Sequence, residues 1–157
     1  MANGTLTATR AATGFPVAAG GVAGDLKVAW GPYDIPAAVA DGDIVKMLKL
    51  PKGATVLWGV VYGEDIDSGT ETVDFDMGWA ANGDEAADPD GFGNNGVVTG
   101  DASVHLPVAG IQIPFHGVLL ADGPKTFNAE TTLQIEFNAA ANATGTGRLT
   151  MVCFYTV

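Results

Sequence analysis

Two aspartates two positions apart, Asp74 and Asp76, have the residue type and spacing best suited to acid–base chemistry in this 157-residue chain. On one strand face they would stand roughly 6.5–7 Å apart, within the about 5–9.5 Å that glycoside hydrolysis asks of two carboxyl groups. Nothing beside them in the sequence would desolvate one carboxyl and raise its pKa, and both belong to the polar row of an alternating stretch. The pair is therefore expected on a solvated face. Nucleophilic catalysis has less to work with. Ser68 and Ser103 lie outside any nucleophile-elbow sequence. Cys153 shares an apolar row with Leu149 and Met151, the setting of an inert buried thiol. His105 and His116, beside Leu106 and Phe115, read as structural or surface residues. The sequence has neither a glycine-rich phosphate loop ending in lysine nor a His-x-x-x-His pair. No enzyme is expected.

Oxygen ligands are more plentiful. Asp84, Asp88, Asp90, Asn94, Asn95 and Asp101 crowd one stretch, and Asp88-Pro89-Asp90-Gly91-Phe92-Gly93-Asn94 has the carboxylates, amide and glycine turn of calcium-binding loops. It lacks the register and closing glutamate of an EF-hand, and Asp and Asn favour turns in any case. Asp88, Asp90 and Asn94 are the candidates for a metal, set against an expectation of no metal and no cofactor. A lone cysteine excludes an internal disulfide and a cysteine-built zinc centre.

Hydrophobic residues make up 47% of the chain and charged residues 16%, against about 25% charged in an average domain. Twelve acidic residues and no lysine or arginine lie between Gly53 and Gly123, and the net formal charge is −11. Such a block repels phosphate backbones, and nucleic-acid binding needs basic residues to displace counterions. Nucleic acid is not an expected partner. The plain role of the block is a solvated, solubilising face. Met1–Arg10 lacks the basic and apolar regions of a signal peptide. No apolar run approaches the about 20 residues that span a bilayer, and the single thiol suits a reducing compartment. Folding in a cytoplasm, without membrane contact, is expected.

The elements that position these residues read as strands. From Asp25 onward apolar residues recur with period two, the mark of a ribbon with one buried face. Leu26, Val28 and Trp30 form one row, and Ile44, Leu48 and Leu50 another, with Lys46 intruding. In 54–62, Val56, Trp58, Val60 and Tyr62 share a row while Leu57 and Val61 occupy the other. The clearest alternation sets Val73, Phe75, Met77 and Trp79 against Thr72, Asp74, Asp76 and Gly78. Leu133, Ile135 and Phe137 follow, then Leu149, Met151, Cys153 and Tyr155 with Val152 and Phe154 opposite. Trp30, Trp58 and Trp79 all fall on rows expected to be interior.

Residues 1–24, small and rich in Thr, Ala and Gly, own no core and read as a flexible or extended N-terminal arm. Pro51-Lys52-Gly53 reads as a tight turn, and 65–70 as a hairpin loop. Residues 34–40, with Asp34 as N-cap, fit one or two helical turns. The acidic stretch 82–103 reads as a long irregular loop. Residues 25–157 then form a single domain of seven or eight short strands. The expected class is all-β: an antiparallel β-sandwich, jelly-roll-like.

The runs Val28-Ala29-Trp30-Gly31-Pro32-Tyr33, Asp43 to Ala54 with its Leu50-Pro51-Lys52-Gly53-Ala54, Asp67-Ser68-Gly69-Thr70 and Asp74-Phe75-Asp76-Met77-Gly78-Trp79 together resemble a group of small tailed-phage virion proteins. In these, a strand ends in "LP-x-GA", a second strand follows, and an acidic "D-S-G" turn leads to a strand ending in "GW". The chain resembles capsid decoration, or cement, proteins over Val28–Trp79 and the closing strands. The resemblance implies a β-sandwich without catalytic residues that binds the outer surface of an assembled capsid and stabilises it. It implies the major capsid protein as partner and the virion as location. Other virion parts, such as a head-fibre or tail subunit, and a calcium- or carbohydrate-binding module are the alternatives.

Bulky residues on both rows of 54–62 and 148–157 exceed what one core face needs. Leu57, Val61, Val152 and Phe154 are accordingly expected to close a homo-oligomer, a trimer in the first instance. On a capsid, Arg10, Lys27, Lys46, Lys49 and Lys52 are expected to lie towards the shell, with the N-terminal arm along it and the acidic block outward.

Overall fold

The computed structural model describes residues 25–35, 38–64, 66, 72–97, 111–141 and 147–157. The arm 1–24 with Arg10, and the loop residues Asp101 and His105, lie outside the described residues. Nine strands and one helical turn follow in order: β1 Lys27–Ile35, β2 Ile44–Leu50, β3 Thr55–Gly63, β4 Asp74–Trp79, β5 Asp88–Val97, β6 Ile111–Pro114, α1 Val118–Ala121, β7 Lys125–Thr126, β8 Thr131–Ala139 and β9 Gly147–Thr156. One sheet runs β1-β9-β3-β6, with β7 also paired to β3, and the other runs β2-β8-β4-β5. Every pairing is antiparallel. The protein is an all-β sandwich.

Consecutive strands mostly change sheet. β2 crosses to β3 through the expected turn, where Gly53 takes φ +85°, a conformation open to glycine without a Cβ clash. The Ala54 amide donates to the Pro51 carbonyl at 3.1 Å and the Gly53 amide to the Phe127 carbonyl at 2.8 Å, tying the turn to the far end of the chain. The connection through 65–70 is not the expected hairpin, because β3 and β4 lie in different sheets. Asp34 does not cap a helix either: it lies in β1, and its strand pairs with β9 through Ile35. The single helical turn is α1, which the sequence pattern did not announce.

Between the sheets the alternating rows close into one core. Val73, just before β4, and Phe75, Met77 and Trp79 within it join Leu133, Ile135 and Phe137 of β8, and Leu149, Met151 and Cys153 of β9, all buried. Phe75 and Phe137 pack edge to face at 5.9 Å. Burying each such side chain stabilises the fold by about 1.5–3 kcal/mol. A second aromatic group, Trp79, Phe92, Phe115 and Phe127, fills one end, with Phe92 stacked on Phe115 at 4.8 Å.

The segment expected to be an irregular loop is largely ordered. After a turn in which the Asn82 side chain accepts from the Asp84 and Glu85 amides, residues 88–97 form β5 against β4. Its glycines hid the strand from pattern reading, yet they make room for its neighbours: an added Cβ at Gly91 would run into the Trp79 ring and one at Gly93 into the His116 ring, and β4 yields in the same way. At Gly78 an added Cβ would run into the Asp88 carbonyl oxygen. Gly78→Ala is therefore expected to destabilise the protein by about 1–3 kcal/mol or more, as forced overpacking does. An unchanged urea midpoint would mean that β5 yields freely.

Candidate interaction surface

The outward row of the β1-β9-β3-β6 sheet follows from its register. Trp30 lies opposite Val152, which lies opposite Val60, which lies opposite Pro114. The neighbouring rows run Val28–Phe154–Trp58 and Pro32–Thr150–Tyr62–Gln112. Trp30 is 67% exposed, Val28 52% and Trp58 42%, and Leu26 and Tyr62 are also exposed. The Trp58 and Phe154 rings touch at 5.2 Å between centroids, and Val60 is fully buried among these neighbours.

This arrangement corrects the expectation for β1 and β3. Leu26, Val28 and Trp30 are not a core row; in β1 the inward positions are held by Ala29, Gly31 and Ile35. In β3 the register shifts between Val56 and Trp58. One extra residue in a strand moves every later side chain to the opposite face. Val56 therefore points inward, and so do Gly59 and Val61, while Trp58, Val60 and Tyr62 point out. Val61, expected at an oligomer contact, is fully buried in the core, and the bulge is the reason. Of the other three expected there, Leu57 is exposed at the bulge and Val152 and Phe154 lie half-buried on the outer face. The same effect in β2, whose register shifts between Lys46 and Leu48, leaves Ile44 exposed and buries Val45.

The face is almost free of charge. Its charges gather at one end: the Arg148 amide donates to the Glu64 carboxylate at 2.9 Å, and the Arg148 guanidinium donates to both Asp34 carboxylate oxygens at 2.7 and 3.2 Å. That hydrogen bonding holds the Asp34 carboxyl below its ordinary pKa. Three strands about 4.8 Å apart and six residues at about 3.3 Å mark out roughly 300 Å², the size at which exposed apolar patches mark contact sites.

The expected basic residues fall elsewhere. Lys46 and Lys49 share β2, and Lys52 follows in the turn. The start of β1 with Lys27, the end of β2 with Lys49, and Lys52 gather at one end of the sandwich, because Lys27 pairs with Tyr155, which also faces Val56 at the start of β3. Lys49 bonds Glu130 at 3.0 Å on open surface. Lys27, Lys46 and Lys52 form no ion pair among the described residues. Lys125, at the same end, is held by Glu85 at 2.6 Å and lies 4.8 Å over the Trp79 ring.

Of the oxygen-ligand candidates, Asn94 lies opposite Asp76 and Asp88 opposite Trp79. Those β4 positions are three residues apart, about 10 Å of strand, so Asp88 and Asn94 do not converge. Burial, and then the hydrogen bond its protonated form donates to Asp90, raise the Asp88 carboxyl above its ordinary pKa. The described residues contain no group of three or more His, Cys, Asp or Glu side chains placed to hold a metal. Burial pushes the Cys153 thiol up to about 12, which leaves no thiolate for chemistry. Asp74 and Asp76, expected in solvent, are instead enclosed: Asp76 is 6% exposed and Asp74 half-buried.

No protein-family model matches the chain, and no curated protein sequence matches it. Solved structures do share its fold. A chain of the cyanophage Pam1 capsid asymmetric unit aligns with a TM-score of 0.62 at 17% identity, covering 89% of this chain and 90% of that one. A chain of the Ralstonia phage GP4 capsid aligns with a TM-score of 0.62 at 20% identity, over 90% and 88%. One from the acid-stable capsid of Helicobacter pylori bacteriophage KHP30 gives 0.53 at 16%, over 85% and 90%.

Proposed function

We propose that this chain is a phage virion structural protein that binds the outer surface of an assembled capsid and stabilises it. The observation that carries the reading is the uncharged aromatic face of Val28, Trp30, Trp58 and Phe154 on a chain of net charge −11. Like-charged copies repel over most of their surface, so contact is cheapest where charge is absent. Copies of this chain meet there as a homo-oligomer, a trimer in the simplest arrangement. A contact of about 800 Å² per partner suffices for stability, and the patch supplies its apolar centre. The fold shared with chains of three phage capsids supports the virion setting.

The lysine-bearing end, Lys27, Lys49 and Lys52, faces the major capsid protein in this reading, and the acidic block faces solvent. Each oligomer touches the shell several times, and such contacts combine through effective concentration. Binding the assembled shell but not its separated subunits stabilises assembly by linkage. The protein is made in the host cytoplasm and works on the virion.

Electron microscopy of particles with and without the protein tests this directly. Extra density on the outside of the shell is expected, and bare shells should survive to a higher temperature once the protein is added back. Density at a tail or fibre would assign it to that part instead. Lys49→Glu with Lys52→Glu should weaken shell binding more at low salt than at high salt, because screening shortens to about 3 Å at 1 M. Equal loss at both would reverse the orientation.

Exposure of Trp30 and Trp58 favours one other reading, a sugar-binding platform. Sugars also require polar groups at the ring edge, and the charged pair on this face is already engaged with itself. Glycan binding abolished by Trp30→Ala, with no binding to shells, would select that reading.

A further inference from the structure

The polar row of β4 carries two carboxylates in a place that cannot keep both charges cheaply. Asp76 is nine-tenths buried, and Asp74, two residues before it on the same face, is half-buried. One oxygen of each, Oδ1, is shut off from solvent with no hydrogen-bond partner. Buried polar atoms are nearly always paired, and an uncompensated buried charge neutralises itself in preference to staying.

Among the described residues no ion pair reaches either carboxylate, and the histidine among them, His116, packs over Gly93 of β5. From β8, Glu136 stands opposite Asp76 and adds a third carboxylate, while Gln134 stands opposite Gly78. From β5, Asn94 stands opposite Asp76. Lys46 lies one strand further out, opposite Gln134. Of the other described Lys and Arg residues, Lys49, Lys125 and Arg148 are engaged by Glu130, Glu85 and Asp34, Lys27 belongs to the other sheet, and Lys52 lies in the turn after β2. Phe75 and Met77, between and beyond the two aspartates, point into the core. The carboxylates do not form a metal-holding group. A proton is the remaining neutraliser.

We infer that the Asp74–Asp76 pair retains one proton in the folded protein, so that the four-stranded sheet becomes more stable as the medium turns acid. Asp74 is the member that holds it, since burial and then the Asp76 charge raise its carboxyl above the ordinary value of 3.8. Between the ordinary value and the raised one, the folded chain binds more protons than the unfolded chain. Stability therefore falls as pH rises through that window, and the contribution is fully present below it. Asp88 shifts in the same direction and Asp34 in the opposite one, so the pair must be isolated by substitution.

Asp74→Asn places a neutral isostere where the protonated carboxyl sits. Melting temperatures of the wild type, Asp74→Asn and Asp76→Asn, taken from about pH 7.5 down to about pH 3.5, just below the ordinary aspartate value, give the test. Both variants are expected to melt about 3 °C above the wild type at the higher pH, and the wild type should close that gap on acidification. The infrared difference spectrum of wild type minus Asp74→Asn should show a protonated-carboxyl band that persists above the ordinary aspartate range, the contribution of Asp88 cancelling between the two. Parallel melting curves at all pH values, or no such band, would overturn the inference. So would a calcium-induced rise at the higher pH in the wild type that Asp74→Asn lacks, which would make the neutraliser a metal ion.

Discussion

Trp30→Glu combined with Trp58→Glu is expected to leave a folded monomer that no longer associates with its own copies and binds shells poorly. Both indoles project from the outer face of the β1-β9-β3-β6 sheet, and Trp30 is 67% exposed. Their replacement leaves the core between the sheets intact but gives up the Trp58–Phe154 ring contact and the cover over Val60, so the chain should stay folded with a modestly lower melting temperature. Buried tryptophans at the centre of an interface typically contribute 2 kcal/mol or more apiece. Losing two weakens association by about a thousandfold, and a glutamate buried without a partner adds to that. Sedimentation equilibrium of the wild type and the double variant decides the matter. A monomeric wild type at any attainable concentration, or a variant that associates as tightly, would dismiss the face as a self-contact. Retained shell binding by a monomeric variant would separate the self-contact from the capsid contact.

Phe92→Ala is expected to have the largest effect on stability, about 3–5 kcal/mol, or roughly a 10 °C fall in melting temperature. Phe92 is fully buried, stacked on Phe115 at 4.8 Å and set edge-on to Trp79 at 5.1 Å and Phe127 at 6.3 Å. It links β5 to α1's approach as well, because the His116 amide donates to the Phe92 carbonyl at 2.8 Å. Truncation opens a cavity bounded by rings already fixed by their own strands, so collapse can recover little. Near-ultraviolet dichroism should lose the Trp79 signal at the same time. A melting point within about a degree of the wild type would show that this end of β5 contributes no packing.

Some of this was legible from residue order. Val73 to Trp79 alternates cleanly, and Phe75, Met77 and Trp79 are buried as that alternation requires. Leu149, Met151 and Cys153 behave the same way. Pro51-Lys52-Gly53 turns where its chemistry says it should. The outer apolar face was half visible: the excess of bulky residues on both rows of β3 and β9 pointed to a second apolar surface, and Val152 and Phe154 lie half-buried on the outer face. Trp30 and Trp58, its two tryptophans, were assigned to the interior, since a tryptophan on an alternating row ordinarily belongs there. Phe92 was missed because Gly91, Gly93 and Gly96 around it read as loop.

By itself the amino-acid order determined the all-β class, the inward rows of β4, β8 and β9, and the segregation of acidic residues into the middle of the chain. These are local properties: a period of two and a charge count survive whatever the strands pair with. Tertiary structure decided which way Trp58, Val60, Val61 and Tyr62 face, because one bulge reverses the parity of a strand that is apolar on both rows. It also decided that Asp76 is enclosed, because β4 lies between β5 and β8, the latter far along the chain, and exposure depends on neighbours that no local pattern names.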